Sequence, residues 1–75
     1  MVTIYTTPTC VYCKLAKEFF KKNTVEYKER NVLEDEVARK EMIDKSGQMG
    51  VPVIEVNGTY VVGFNEAKLK ELLKI

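Results

Sequence analysis

The stretch Val2–Lys17, "VTIYTTPTCVYCKLAK", changes periodicity halfway along, and that change decides the fold. Val2-Thr3-Ile4-Tyr5 alternates with a period of two and runs into "TTPT", which reads as a short strand closed by a turn. From Val11 onward Leu15, Ala16, Phe19 and Phe20 recur at helical spacing, with Lys14, Lys17, Glu18, Lys21 and Lys22 on the other face. This predicts an amphipathic helix that begins at the cysteines and stops near Asn23. Cys10 and Cys13 therefore sit where a strand hands over to a helix.

The rest of the chain extends that unit. "TVEYKERNV" alternates Val25 and Tyr27 with Glu26 and Lys28, which suits a second strand, and a helical crossover between neighbouring strands favours a right-handed parallel unit. A second helix is expected from about Glu34 to Lys45, with Leu33, Val37, Met42 and Ile43 inward and Gly47 just past its end. "VPVIEV" and "TYVVG" are β-branched runs separated by Asn57-Gly58, a hairpin signal that favours a type I′ turn. Asn65 then fits the N-cap of a last helix containing Ala67, Leu69, Leu72 and Leu73. The expected order is β-α-β-α-β-β-α, an α/β arrangement in a single domain over residues 1–75.

Composition narrows the function. Twelve Lys and Arg against eleven Asp and Glu leave a formal charge of +1, so no net field recruits nucleic acid or an anionic membrane. No apolar stretch approaches the ~20 residues of a membrane span. The start "MVTIYTTPTC" lacks the basic segment and the apolar run of about 7–15 residues that mark a secretory signal. We expect a cytoplasmic monomer, in a reducing compartment where a cysteine pair is more often catalytic or metal-binding than structural. The chain contains no histidine, which excludes histidine acid–base catalysis and cysteine–histidine dyads.

Residues three apart on a helix face the same side, so Cys10 and Cys13 can close a disulfide within one turn. Their positions also rank them. At the helix N-terminus unpaired N–H groups and the positive end of the dipole stabilise a thiolate, which makes Cys10 the nucleophile and Cys13 the resolving thiol. Attack by one thiolate on a disulfide gives a mixed disulfide that the second thiol releases. Two other readings stay open. Zinc or iron–sulfur binding needs two chains or an outside ligand to complete the donor set. A structural disulfide closing so short a ring constrains little of the unfolded chain.

Over nearly its whole length the chain resembles the glutaredoxins, the small branch of the thioredoxin superfamily. "IYTTPTCVYCKLAK" is similar to their first strand, active-site turn and first helix, and "SGQMGVPVIEVNGTYVVGFNEAKL" to the pattern "TGQ…TVP…NG…GG". The resemblance implies a thioredoxin-like, four-stranded mixed sheet flanked by three helices, with Pro52 as a cis-proline facing the cysteines. It implies glutathione as co-substrate with no tightly bound cofactor and no metal, and disulfide-containing proteins as substrates. Carried over position by position, Cys10 and Tyr12 match the nucleophile and the tyrosine flanking the ligand, Val51 and Pro52 the backbone clamp, and Gly63 the glycine before the last helix. Phe64 and Asn65 stand where the family binds the γ-glutamyl end, and Thr7 replaces its usual lysine. Arg39 falls where the family supplies a partner for the glycyl carboxylate. Gly63-Phe64 also resembles the "GF" element of redoxins that serve ribonucleotide reductase and are recharged by thioredoxin reductase, although Tyr12 stands where those have glutamine.

Overall fold

A computed structural model describes residues 2–75. Its elements are β1 (Val2–Thr6), α1 (Val11–Lys22), β2 (Tyr27–Asn31), α2 (Glu36–Ser46), β3 (Val53–Val56), β4 (Thr59–Val62) and α3 (Glu66–Leu73). The strands form one mixed sheet in the order β2-β1-β3-β4. β1 runs parallel to β2, Val2 opposite Tyr27 and Thr6 opposite Asn31, while β3 is antiparallel to both β1 and β4. The four-stranded sheet and three helices are the architecture that the resemblance implied.

Side-chain alternation divides the core between the two faces of the sheet. Val2 and Ile4 of β1 join Ile54, Val56 and Val61 under α1 and α3, where Ala16, Phe19, Phe20 and Leu69 are buried. Tyr5 and Val53 point the other way, onto Ala38 and Met42 of α2. Asn57 and Gly58 between β3 and β4 both have positive φ, 49° and 89°, as a type I′ turn requires. Gly47, at φ 72°, ends α2 in the left-handed region, and its N–H bonds the Ile43 carbonyl. Among the described residues no helix is long and apolar enough to cross a membrane.

Several expected positions differ. The second strand starts at Tyr27, because the Val25 N–H is taken by the Phe20 carbonyl in closing α1. α2 begins at Glu36, since Asp35 caps it through the Ala38 N–H. Leu33, expected inward, is 70% exposed. The Val32 N–H bonds the Thr6 carbonyl and carries the strand pairing one residue further, so Val32 is buried and its successor turns outward. Val37 is also exposed, because α2 lies on the sheet through Ala38 and Met42, one turn apart. Leu15 and Ala67 face solvent as well, flanking the stripes led by Ala16 and Leu69.

Candidate active site around the cysteine pair

Cys10 is the N-cap of α1. Its backbone is extended, its sulfur accepts the Cys13 N–H at 3.1 Å, and its carbonyl accepts the Lys14 N–H. The turn ahead of it is closed by the Cys10 N–H on the Thr7 carbonyl at 3.3 Å, which ties Thr7 to Cys10 through the backbone. Cys10 and Cys13 are joined by a disulfide across Cα atoms 5.2 Å apart, a separation that one helical turn supplies. The two sulfurs are not equivalent. Cys10 is half-buried, whereas Cys13 faces the sheet with Ala16 and Phe20 and is 1% exposed. Tyr12, on the outer side of the same turn, is 63% exposed.

The sheet register brings the second half of the chain to the same end. Tyr5 pairs with Val53, so Val51 and Pro52 continue opposite the β1 end that leads into the cysteine turn. The Val51–Pro52 peptide bond is cis and Pro52 is buried. The Gly63 N–H bonds the Pro52 carbonyl at 2.8 Å, with Gly63 at φ 79°. Phe64 then turns its ring edge-on to Phe19 of α1, centroids 5.8 Å apart, so it belongs to the core under the helix as well as to the site. Asn65 caps α3 through the Lys68 N–H. Because β1 and β2 are parallel, α2 also starts at this end. Arg39 lies in its first turn, but exposed, and on the helix that covers the opposite sheet face from α1 and α3. Thus Thr7, Cys10, Tyr12, Val51, Pro52, Gly63, Phe64 and Asn65 gather at one rim, with Arg39 behind it. Among the described residues no group of three or more Cys, Asp or Glu is placed to hold a metal ion.

One polar cluster where α1 meets β1 and β2 does not follow from the sequence pattern. The Thr6 hydroxyl, buried on the α1 face, donates to Glu29 Oε2 at 2.8 Å, and Lys17 Nζ reaches the same oxygen at 3.0 Å. Burial alone would raise the Glu29 pKa, but these two hydrogen bonds and the charges of Lys17 and Lys21 outweigh it and hold the carboxyl below its ordinary value. The sequence did carry a signal: Glu29 falls on the inward parity of Val25 and Tyr27, where an apolar residue is the rule.

Comparison with known proteins agrees with this geometry. Residues 2–61 match the glutaredoxin family model. A glutaredoxin-like 8.6 kDa protein of a rubredoxin operon in Clostridium pasteurianum is 43% identical over 74 residues, 99% of each chain. Glutaredoxin 3 of Escherichia coli K12 is 34% identical over 65 residues, 87% of this chain and 78% of its own. The crystal structure of a glutaredoxin from Archaeoglobus fulgidus superposes with a TM-score of 0.86 at 34% identity, covering 99% of this chain and 86% of that one.

Proposed function

This chain belongs to the glutaredoxin family of thiol–disulfide oxidoreductases, and from that premise we propose that it reduces protein disulfides and glutathione mixed disulfides, with glutathione as its reductant. The observation that carries the reading is the Cys10 sulfur at the α1 N-cap, receiving the Cys13 N–H while Cys13 itself is buried. In the dithiol the same N–H and the helix dipole face the Cys10 thiolate. That thiolate attacks one sulfur of the substrate disulfide, forming a mixed disulfide and expelling the other sulfur as a thiolate that takes a proton from water. Cys13 then attacks Cys10 Sγ, its proton leaves with the departing substrate thiol, and the pair ends as the disulfide seen here. Two glutathione thiols return the two electrons and leave as glutathione disulfide.

Glutathione is supported by the rim. Val51 and Pro52 lie opposite the β1 end that leads into the cysteine turn, Tyr12 of that turn is exposed, and the capped N-terminus of α3 suits a carboxylate. A second reading, recharging by thioredoxin reductase, is favoured by Phe64: its ring rests on Phe19, and neither Thr7 nor Asn65 brings a charge for glutathione. Reductant choice separates the two. The oxidised protein is given glutathione with glutathione reductase, or thioredoxin reductase alone, each with NADPH, and recovery of the Cys10–Cys13 dithiol is followed. We expect recovery with glutathione; recovery with thioredoxin reductase alone would replace this reading by the second.

A further inference from the structure

The α1 face of the sheet is apolar at Val2, Ile4, Ile54 and Val56, yet its β2 edge carries the Thr6–Glu29–Lys17 cluster. Its place relative to the cysteines follows from how α1 crosses the strands. Phe20 meets Tyr27 at 5.3 Å between ring centroids, and Lys17 meets Glu29, so advancing along the helix means moving back along β2. The four residues from Lys17 back to Cys13 cover roughly 6 Å of helix axis, about two strand residues beyond Glu29. By that count the buried Cys13 lies farther toward the Thr6–Asn31 end of the strands than Glu29 does.

Lys17 is one turn from Cys13 on the same helix, within range to act on a sulfur there. A thiol buried in apolar surroundings resists ionisation unless a positive charge is placed beside it. The ammonium is instead held at the sheet edge by a carboxylate. The other charge acting on that carboxylate is Lys21 of α1. Lys28 and Arg30, the strand neighbours of Glu29, alternate to the other face of the sheet, where Arg30 pairs with Glu41, and Glu34, Asp35 and Glu36 at the start of α2 line a groove along the same strand.

We propose that Glu29 is a positioning residue for the resolving thiol: by fixing the Lys17 ammonium and the Thr6 hydroxyl on one oxygen, it withholds positive charge from Cys13. The reduced pair then carries its negative charge on Cys10 and keeps Cys13 as a neutral thiol until Cys13 attacks the mixed disulfide. No electrons are added: the Cys13 sulfur bonds to Cys10 Sγ, the Cys10–substrate bond breaks, and the Cys13 proton goes to the released substrate sulfur. Withholding the charge also makes the dithiol less stable, so the pair is a stronger reductant than it would be with Lys17 free.

The inference rests on the resolving role given to Cys13, but its test needs neither a substrate nor a choice of reductase. Glu29→Gln and Lys17→Met are made in the full chain, singly and together. Thiol pKa values are read from thiolate ultraviolet absorbance, and the dithiol–disulfide equilibrium from mixtures of reduced and oxidised glutathione. Glu29→Gln is expected to lower the Cys13 pKa and favour the dithiol about tenfold, equivalent to about 30 mV. Lys17→Met, which leaves the carboxylate uncompensated, is expected to move both quantities the opposite way, and the double variant to lie near the unmodified protein. Shifts below about twofold, or shifts of the same sign in both single variants, would overturn the proposal, since a packing role alone lowers melting temperature without opposing the two variants. If Glu29→Gln fails to fold, Lys17→Met, at a partly exposed position, decides by the same criterion. Should Cys13 prove not to be the resolving thiol, Cys13→Ser would keep full protein-disulfide reductase activity, an outcome distinct from the pKa response.

Discussion

Cys10 and Cys13 are separated by one helical turn and by their exposure, and we expect activity to report that difference. Cys10 is reachable at the cap, so Cys10→Ser is expected to abolish reduction of every disulfide substrate, a loss of about 100-fold or more for a nucleophile that begins the covalent route. In the proposed reaction the buried Cys13 acts second, so Cys13→Ser should keep reduction of glutathione mixed disulfides, in which a second glutathione can resolve, and lose protein-disulfide reduction. Parallel assays on a glutathionylated peptide and on insulin check both; a Cys13→Ser variant equally active on insulin would reverse the assignment. Glu29 gives a second test at this scale. Its folded pKa is depressed, so its contribution to stability is present above the ordinary value of 4.5 and is lost as pH falls below that through the folded value. The melting-temperature gap between the protein and Glu29→Gln should therefore be widest near neutral pH and close in acid; a gap independent of pH would mean the carboxylate is not ionised in the fold.

At the scale of elements, legibility followed how each one is specified. The β3–β4 hairpin was readable because Asn57-Gly58 names residues that tolerate positive φ, and the structure uses both at 49° and 89°. α1 was readable because its cap and its Phe19-Phe20 stripe are local. α2 was less so: its inward face is Ala38 and Met42, while Leu33 and Val37 look inward by hydropathy alone. What turns that helix is non-local. Tyr5 of β1 faces it, the Arg30 guanidinium lies 5.8 Å from the Tyr5 ring centroid, and Arg30 also pairs with Glu41 of α2. A small residue such as Ala38 can then lie close against the sheet. The site divides the same way: the cysteines and Pro52 announce themselves by residue type, whereas Glu29 becomes meaningful only when α1 is laid across β2. The hairpin yields the prediction. Gly58→Val places a β-branched residue at φ 89° and should cost about 1–2 kcal/mol. In a domain this small that lowers the melting temperature by about 4–8 °C per kcal/mol. Calorimetry showing no change would mean the turn can adopt another type.

Across the whole molecule, the sheet order sets both the rim and the stability. β1 and β3 are the inner strands; one leads into the cysteine turn and the other begins at the cis-proline, so their packing holds the two halves of the site in register. Ile54 is the midpoint of that arrangement. It pairs with Ile4 on one side and Val61 on the other, is fully buried, and packs with Phe20 and Leu69 beneath α1 and α3. A chain of 75 residues has roughly 4–11 kcal/mol of total stability. Removing most of a buried isoleucine costs about 2–5 kcal/mol, through lost transfer energy and the cavity left behind. Ile54→Ala should therefore lower the denaturant midpoint by roughly a fifth or more. Val37→Ala removes a similar side chain from a helix that points it at solvent, and should stay within about 0.5 kcal/mol. The two variants form one experiment on urea unfolding followed by circular dichroism. Equal losses would show that Val37 is packed and the core is not divided by the sheet; a large loss at Ile54 alone places the stability of the molecule, and the alignment of Cys10 with Pro52, on the same pair of central strands.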